Sequence, residues 1–250
     1  MEVAAPLDSA QALVAVLSTM PRERLDALLA EPATAAPWIV AAARYGLPQA
    51  QLRLGRMLLE GEGFARDAAA ALGWFRLAAE AGDANALNMV GRCLENGWGA
   101  AGDTAAAASW YARAAEAGSA WAQYNLGHLL LNGDGVARDP AGAFACYRRA
   151  ADWGHARAMN LVGRCLEHGW GVACDPASAR RWYRRSAEAG YFRGQYNYAS
   201  ALTALGRIEE AAAWFEAALA NAPGPSRAVM ATALGVSEVP AHRALAAPPC

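Results

Sequence analysis

Lysine is missing from this chain: all 22 basic residues are arginine. The bias reads as that of the source genome, because 23 acidic residues bring the net charge to −1. So even a balance excludes whole-chain attraction to nucleic acid or anionic lipid. Long apolar runs are missing too, and no stretch approaches the roughly 18 residues of a membrane span. The short run Leu13–Leu17 follows Glu2 and Asp8 with no basic residue before it, the wrong flank for a signal peptide. The five cysteines are odd in number and no pair is spaced Cys-x-x-Cys. That excludes a disulfide framework and predicts reduced thiols in a cytoplasmic protein.

Catalytic signatures are also absent. The four histidines form no His-Glu-x-x-His, and no serine lies in Gly-x-Ser-x-Gly. The chain is therefore expected to be no enzyme and to need no cofactor. Cys165, His168 and Cys174, with His155 near them in sequence, carry the right ligand types for zinc. But Cys165 shares its phase with Cys93, whose repeat has Asn96 and Gly102 in place of the other two. Cysteine at that phase reads as a small core residue, and no metal site is expected.

What is abundant is alanine, roughly a quarter of the chain. It is the best helix former and lets helices approach closely, which points to an all-α protein. A glycine recurs every 36 residues at Gly46, Gly82, Gly118, Gly154 and Gly190. After the first four of these come a second glycine at +9, a Gly-x-Gly pair at +15 and +17, and an aspartate at +21. A fixed period of that length marks a stack of supersecondary units, each too small to bury its apolar face alone.

Residues 82–117 show the unit. Ala84, Leu87, Val90, Gly91 and Leu94 mark one face of a helix A running to about Asn96. Gly97 stands where a left-handed C-cap is wanted, and Asp103 where an N-cap is wanted. Asp139-Pro140 and Asp175-Pro176 repeat the cap with proline at the first helical position. Helix B carries aromatic pairs such as Trp110/Tyr111 and Trp182/Tyr183; in the third unit the first partner is Cys146. The Gly-x-Gly loops precede no Lys-Ser/Thr and follow no strand, so they are turns and not phosphate cradles.

The run YNLGHLLLNGDGVARDPAGAFACYRRAA (Tyr124 to Ala151) resembles a Sel1-like repeat, as do its three counterparts. Four such repeats are expected at 46–81, 82–117, 118–153 and 154–189. They follow an N-terminal helical cap over 1–45, with short helices at 8–18 and 21–30 and a lone helix B over 37–45. A tetratricopeptide-like closing unit over 190–222 lacks the Gly-x-Gly loop and turns at Leu205-Gly206-Arg207. A helix over 226–234 and a tail complete the 223–250 segment. The resemblance implies a right-handed αα-superhelix, an α-solenoid, whose A helices line a concave groove.

Carried over by phase, Arg56, Asn88, Arg92, Trp121, Tyr124, His128, Asn160, Arg164, Arg193 and Tyr196 face that groove. Such positions suit a protein partner, bound as a peptide or helix, with no role for nucleic acid or membrane. Arg92/Glu95 and Arg164/Glu167 are also i,i+3 pairs that can neutralise each other on a solvated face. Over the 36-residue beat lies a 72-residue one: Asn88–Gly99 and Asn160–Gly171 share N-x-V-G-R-C-L-E-x-G-W-G. Their loop tryptophans, Trp98 and Trp170, either wedge under neighbouring helices or stand out as contacts. Bacterial proteins with similar repeats are often encoded beside iron-uptake receptors and iron-dependent hydroxylases. The resemblance thus implies an alternative role, an accessory or regulatory subunit of a bacterial enzyme or uptake system.

Overall fold

A computed structural model describes residues 30–245 continuously, with isolated positions before them. Apart from those positions, the short helices expected at 8–18 and 21–30 lie outside the described residues. Within them every regular element is a helix. In chain order these are α1 (Pro32–Arg44), α2 (Pro48–Glu60), α3 (Ala68–Glu80), α4 (Ala84–Asn96), α5 (Thr104–Glu116), α6 (Ala120–Asn132) and α7 (Pro140–Asp152). They continue as α8 (Ala156–His168), α9 (Pro176–Glu188), α10 (Phe192–Thr203), α11 (Ile208–Asn221), α12 (Gly224–Gly235) and α13 (Pro240–Leu245). Consecutive helices pair, giving an all-α solenoid of helix–loop–helix repeats.

Helix ends fall where local chemistry sets them. Asp67, Asp103, Asp139 and Asp175 each accept the N–H of the third residue of α3, α5, α7 and α9 at 2.9 Å. Gly97 ends α4 at φ 69°, a left-handed conformation that costs a side-chain-bearing residue dearly. The lone helix expected over 37–45 starts earlier, at Pro32. Proline has no N–H to lose at a first helical position, and Pro37 forfeits only one bond.

The packing divides into two units, residues 1–122 with 134–136, and residues 123–133 with 137–250. In the first, each helix from α1 to α5 packs on its neighbour. In the second, α8 packs against α7, α9 and α10, and α10 against α11. The short α13 lies across α11 and α12, so the tail expected after 234 is a further turn and helix. Its anchor is His242, 3 % exposed, with its ring 4.8 Å from that of Phe215.

Within each repeat, helix A meets helix B at a glycine. A methyl on Gly91 would lie 2.7 Å from the Tyr111 ring, and Gly55, Gly127 and Gly163 meet Phe75, Tyr147 and Tyr183 in the same way. Those four rings are fully buried. The first members of the aromatic pairs are less uniform: Trp74 and Trp110 are half-buried, whereas Trp182 is buried. Trp110 lies under the Arg113 guanidinium at 4.3 Å instead of filling the gap between helices. The second glycine of each loop makes a different contact, with the start of the preceding helix B. A methyl on Gly99 would overlap the backbone of Ala68, and one on Gly171 that of Pro140.

Candidate functional site

In the first unit, α2 and α4 carry the expected groove residues. Arg56 is exposed and lines a cleft of about 210 Å³ with Arg53, Glu60 and Glu62. Asn88 is buried at 7 %. Arg92 is half-buried, its guanidinium carbon 5.2 Å from the centre of the Trp98 ring. The structure thus places Arg56 and Arg92 in different clefts of this unit. Trp121, at the start of α6, is 45 % exposed.

The second unit brings six of the ten expected residues to one place. Tyr124, His128, Asn160, Arg164, Arg193 and Tyr196 all line a cavity of about 610 Å³. They come from α6, α8 and α10, whose phase repeats every 36 residues, so equal positions on successive A helices share a face. Arg157, Tyr191 and Phe192 join them, and Pro225, Val229, Met230 and Ala233 of α12 form an apolar wall. Val229 is 71 % exposed although it lines the cavity. The α12 wall lies outside the repeat, so phase could not place it; its only signal was an apolar spacing over 226–234.

Charge in this cavity has one sign. Arg157, Arg164 and Arg193 line it and no carboxylate does. The i,i+3 neutralisation open to Arg164 and Glu167 does not occur, because Glu167 accepts the Tyr183 hydroxyl of helix B at 2.6 Å. Glu95 does the same for Tyr111 at 2.5 Å, while Arg92 turns to the Met89 sulfur. Arg164 instead stacks over Trp170 at 4.9 Å. The loop tryptophans are each half-buried, and each carries an arginine of its own repeat, Arg92 or Arg164, over its ring. The signal was readable, since arginine and tryptophan belong to one shared run in alternate repeats.

Two cavity residues act in the framework as well. Asn160, 4 % exposed, accepts an amide hydrogen from Asn197 at 2.8 Å, tying α8 to α10. Beside the cavity, the Tyr124 ring lies 4.6 Å from His128 and 5.0 Å from His155, and burial raises the Tyr124 hydroxyl above its ordinary range. His155 caps α8, its Nδ1 accepting the Ala158 N–H at 3.2 Å. Burial foremost, then the charge of Arg157, holds its pKa down to about 4, so the ring stays neutral and able to accept.

The zinc ligand types do not assemble. Cys165 is fully buried, its thiol pushed up to about 11 by burial, whereas Cys174 is exposed and donates to the Glu167 carbonyl. Among the described residues no group of three His, Cys, Asp or Glu could hold a metal ion. Nor is any helix among them long and apolar enough to cross a membrane.

Four stretches of the chain, residues 48–83, 84–119, 122–155 and 156–191, match the model of the Sel1 repeat. A Sel1 repeat protein from Oxalobacter formigenes is similar in structure, with a TM-score of 0.73 and 28 % identity over 81 % of this chain and 82 % of that one. So is c5321, a protective antigen of uropathogenic Escherichia coli with an SLR fold, at a TM-score of 0.73 and 27 % identity. That match covers 94 % of this chain and 51 % of c5321, so the chain spans about half of that protein's length. The immunity protein Pa5087 of Pseudomonas aeruginosa, at 16 % identity and a TM-score of 0.56 over 81 % of this chain and 76 % of that one, shares the fold alone. No curated protein matches the chain.

Proposed function

The chain belongs to the Sel1 repeat family, whose members generally serve as protein-interaction scaffolds, and from that premise we propose that it holds a segment of a partner protein in the cavity of its second unit. The observation that carries this reading is the lining of that cavity. Arg157, Arg164 and Arg193 stand among tyrosine rings and an apolar α12 wall, and no carboxylate lines the cavity. Arginine forks take carboxylates or backbone carbonyls with little loss of freedom, and the rings supply stacking surface. The A helices fix these groups before any partner arrives, which lowers the ordering cost of binding. A peptide or a single helix face fills about 610 Å³ in depth and leaves its polar side in water.

Arg164→Glu combined with Arg193→Glu tests the reading. Both side chains lie on the cavity wall and neither fills the core, so the circular-dichroism melt is expected to stay nearly unchanged. Capture of the partner from native cytosol is expected to fall at least about tenfold, since like charge now meets like. Undiminished capture by the double variant would remove the cavity from the account.

A further inference from the structure

Two clefts outside that cavity are built from the same four positions. In the first unit, Leu59, Glu60, Arg66 and Trp98 line a cleft of about 360 Å³, together with Met89 and Arg92. In the second, Leu131, Asn132, Arg138 and Trp170 line one of about 440 Å³. Each residue of the second set lies 72 positions after its counterpart in the first. The last turn of helix A in an odd repeat supplies the leucine and its polar neighbour. The loop of that repeat supplies the arginine, and the loop of the next repeat supplies the tryptophan.

The 36-residue beat does not account for this recurrence. At the arginine phase the even repeats have Gly102 and Cys174, and at the tryptophan phase the odd repeats have Glu62 and Asp134. The combination therefore forms once per pair of repeats, in each unit by itself. Its chemistry is also doubled. Arg92 lies on the Trp98 ring and Arg164 on the Trp170 ring. Arg66 and Arg138 are exposed, and Arg138 commits its Nε to the Leu131 carbonyl at 3.0 Å, which aims its remaining nitrogens. Among the described residues no carboxylate pairs with Arg66, Arg92, Arg138 or Arg164.

We propose that these clefts are two equivalent docking sites for acidic, aromatic-bearing segments of a partner protein. Each takes one aromatic side chain against the indole, with a neighbouring carboxylate on Arg66 or Arg138. An indole beside guanidinium cations favours a flat ring, through stacking and cation–π attraction. An unpaired, exposed guanidinium favours a carboxylate, which it can hold with two hydrogen bonds. Of the four shared positions one differs, and it sets an order between the sites. Glu60 offsets part of the positive charge in the first cleft, whereas Asn132 leaves the second fully positive, so the second binds more tightly. This inference does not depend on the cavity reading.

The probe is a pentapeptide of phenylalanine flanked by two glutamates on each side, with its glutamine counterpart as control. Isothermal titration calorimetry is expected to show two sites per chain, with Kd values below about 1 mM and binding weakened by salt. Arg138→Ala removes the tighter site and Arg66→Ala the weaker, each by about tenfold or more in Kd. Both side chains are exposed, so the thermal melts should not move. Glu60→Asn should bring the first site to the affinity of the second. Arg193→Glu, which alters only the cavity, should leave both sites intact. The proposal is overturned if the wild type does not bind at millimolar peptide, if the glutamine peptide binds as well, or if binding survives Arg66→Ala with Arg138→Ala.

Discussion

Repeats 82–117 and 154–189 join their two helices through a buried tyrosine that donates to a glutamate, Tyr111 to Glu95 and Tyr183 to Glu167. Repeat 118–153 buries the equivalent Tyr147 just as deeply, but Leu131 stands at the glutamate position. The Tyr147 hydroxyl has no hydrogen-bond partner among the described residues. The first repeat resolves the mismatch differently, with Leu59 opposite Phe75, so neither group is polar. An unmade buried hydrogen bond costs about 1–3 kcal/mol, and the third repeat carries that cost. It can do so because the ring's seat on Gly127 is the same contact that Tyr111 makes with Gly91. Packing holds the repeat together, and the hydrogen bond is an addition that one copy forgoes.

The largest expected effect tests the shared part. Tyr111→Ala and Tyr147→Ala should each cost about 3–5 kcal/mol in urea unfolding. The Tyr147 loss should be the smaller by about 1–3 kcal/mol, because that truncation also removes a stranded hydroxyl; a Tyr147 loss near zero would mean that the hydroxyl, and not the ring, dominates. Next, Glu95→Leu makes the second repeat like the third and should destabilise by about 1–3 kcal/mol, by stranding a buried donor. Tyr147→Phe is the mirror experiment. Deleting an unpaired hydroxyl while keeping the ring should raise stability by about 1–3 kcal/mol, and a loss would show that the hydroxyl has a partner in solution.

The smallest effect separates the two even repeats from each other. Asp83 caps α4, but His155 caps α8. Because His155 is held to about 4 in the folded chain, below the ordinary imidazole value of 6.5, the unfolded chain binds its proton first. Its stabilisation is complete above pH 6.5 and is lost as pH falls from there towards 4. The ring is only half-buried, so after allowing for solvent screening the loss between pH 7 and 5 should be about 1 kcal/mol. His155→Asp should flatten the difference between the two pH values; an unaltered pH dependence would move its origin elsewhere.

Much of this was legible in the sequence for a physical reason: caps and corners are local and recur. Asp103 and Gly97 could each be assigned from the residues around them. Phase placed the expected groove residues on one face, and six of the ten line one cavity. What escaped was whatever lies between unlike segments. No copy of α12 exists elsewhere in the chain, so the apolar spacing over 226–234 gave a helix but not its place against the cavity. The Tyr–Glu bond was missed because Glu95 was weighed only against Arg92, its neighbour on the same helix. The signal was present all the same, in the matched change to Leu59 and Phe75 in the first repeat.

The overlap that a methyl on Gly99 or Gly171 would make with the preceding helix B has a consequence for how such a chain changes over time. At these two glycines the seam between neighbouring repeats is backbone against backbone, and there it takes no notice of which side chains either repeat displays. Repeats are therefore interchangeable parts with a standard fitting. An in-frame duplication of 72 residues would bring its own seam glycines and its own arginine–tryptophan cleft, and would lengthen the molecule without redesigning any joint. Diversity of partners can then arise by copying and by drift of the displayed residues, while the seam stays fixed.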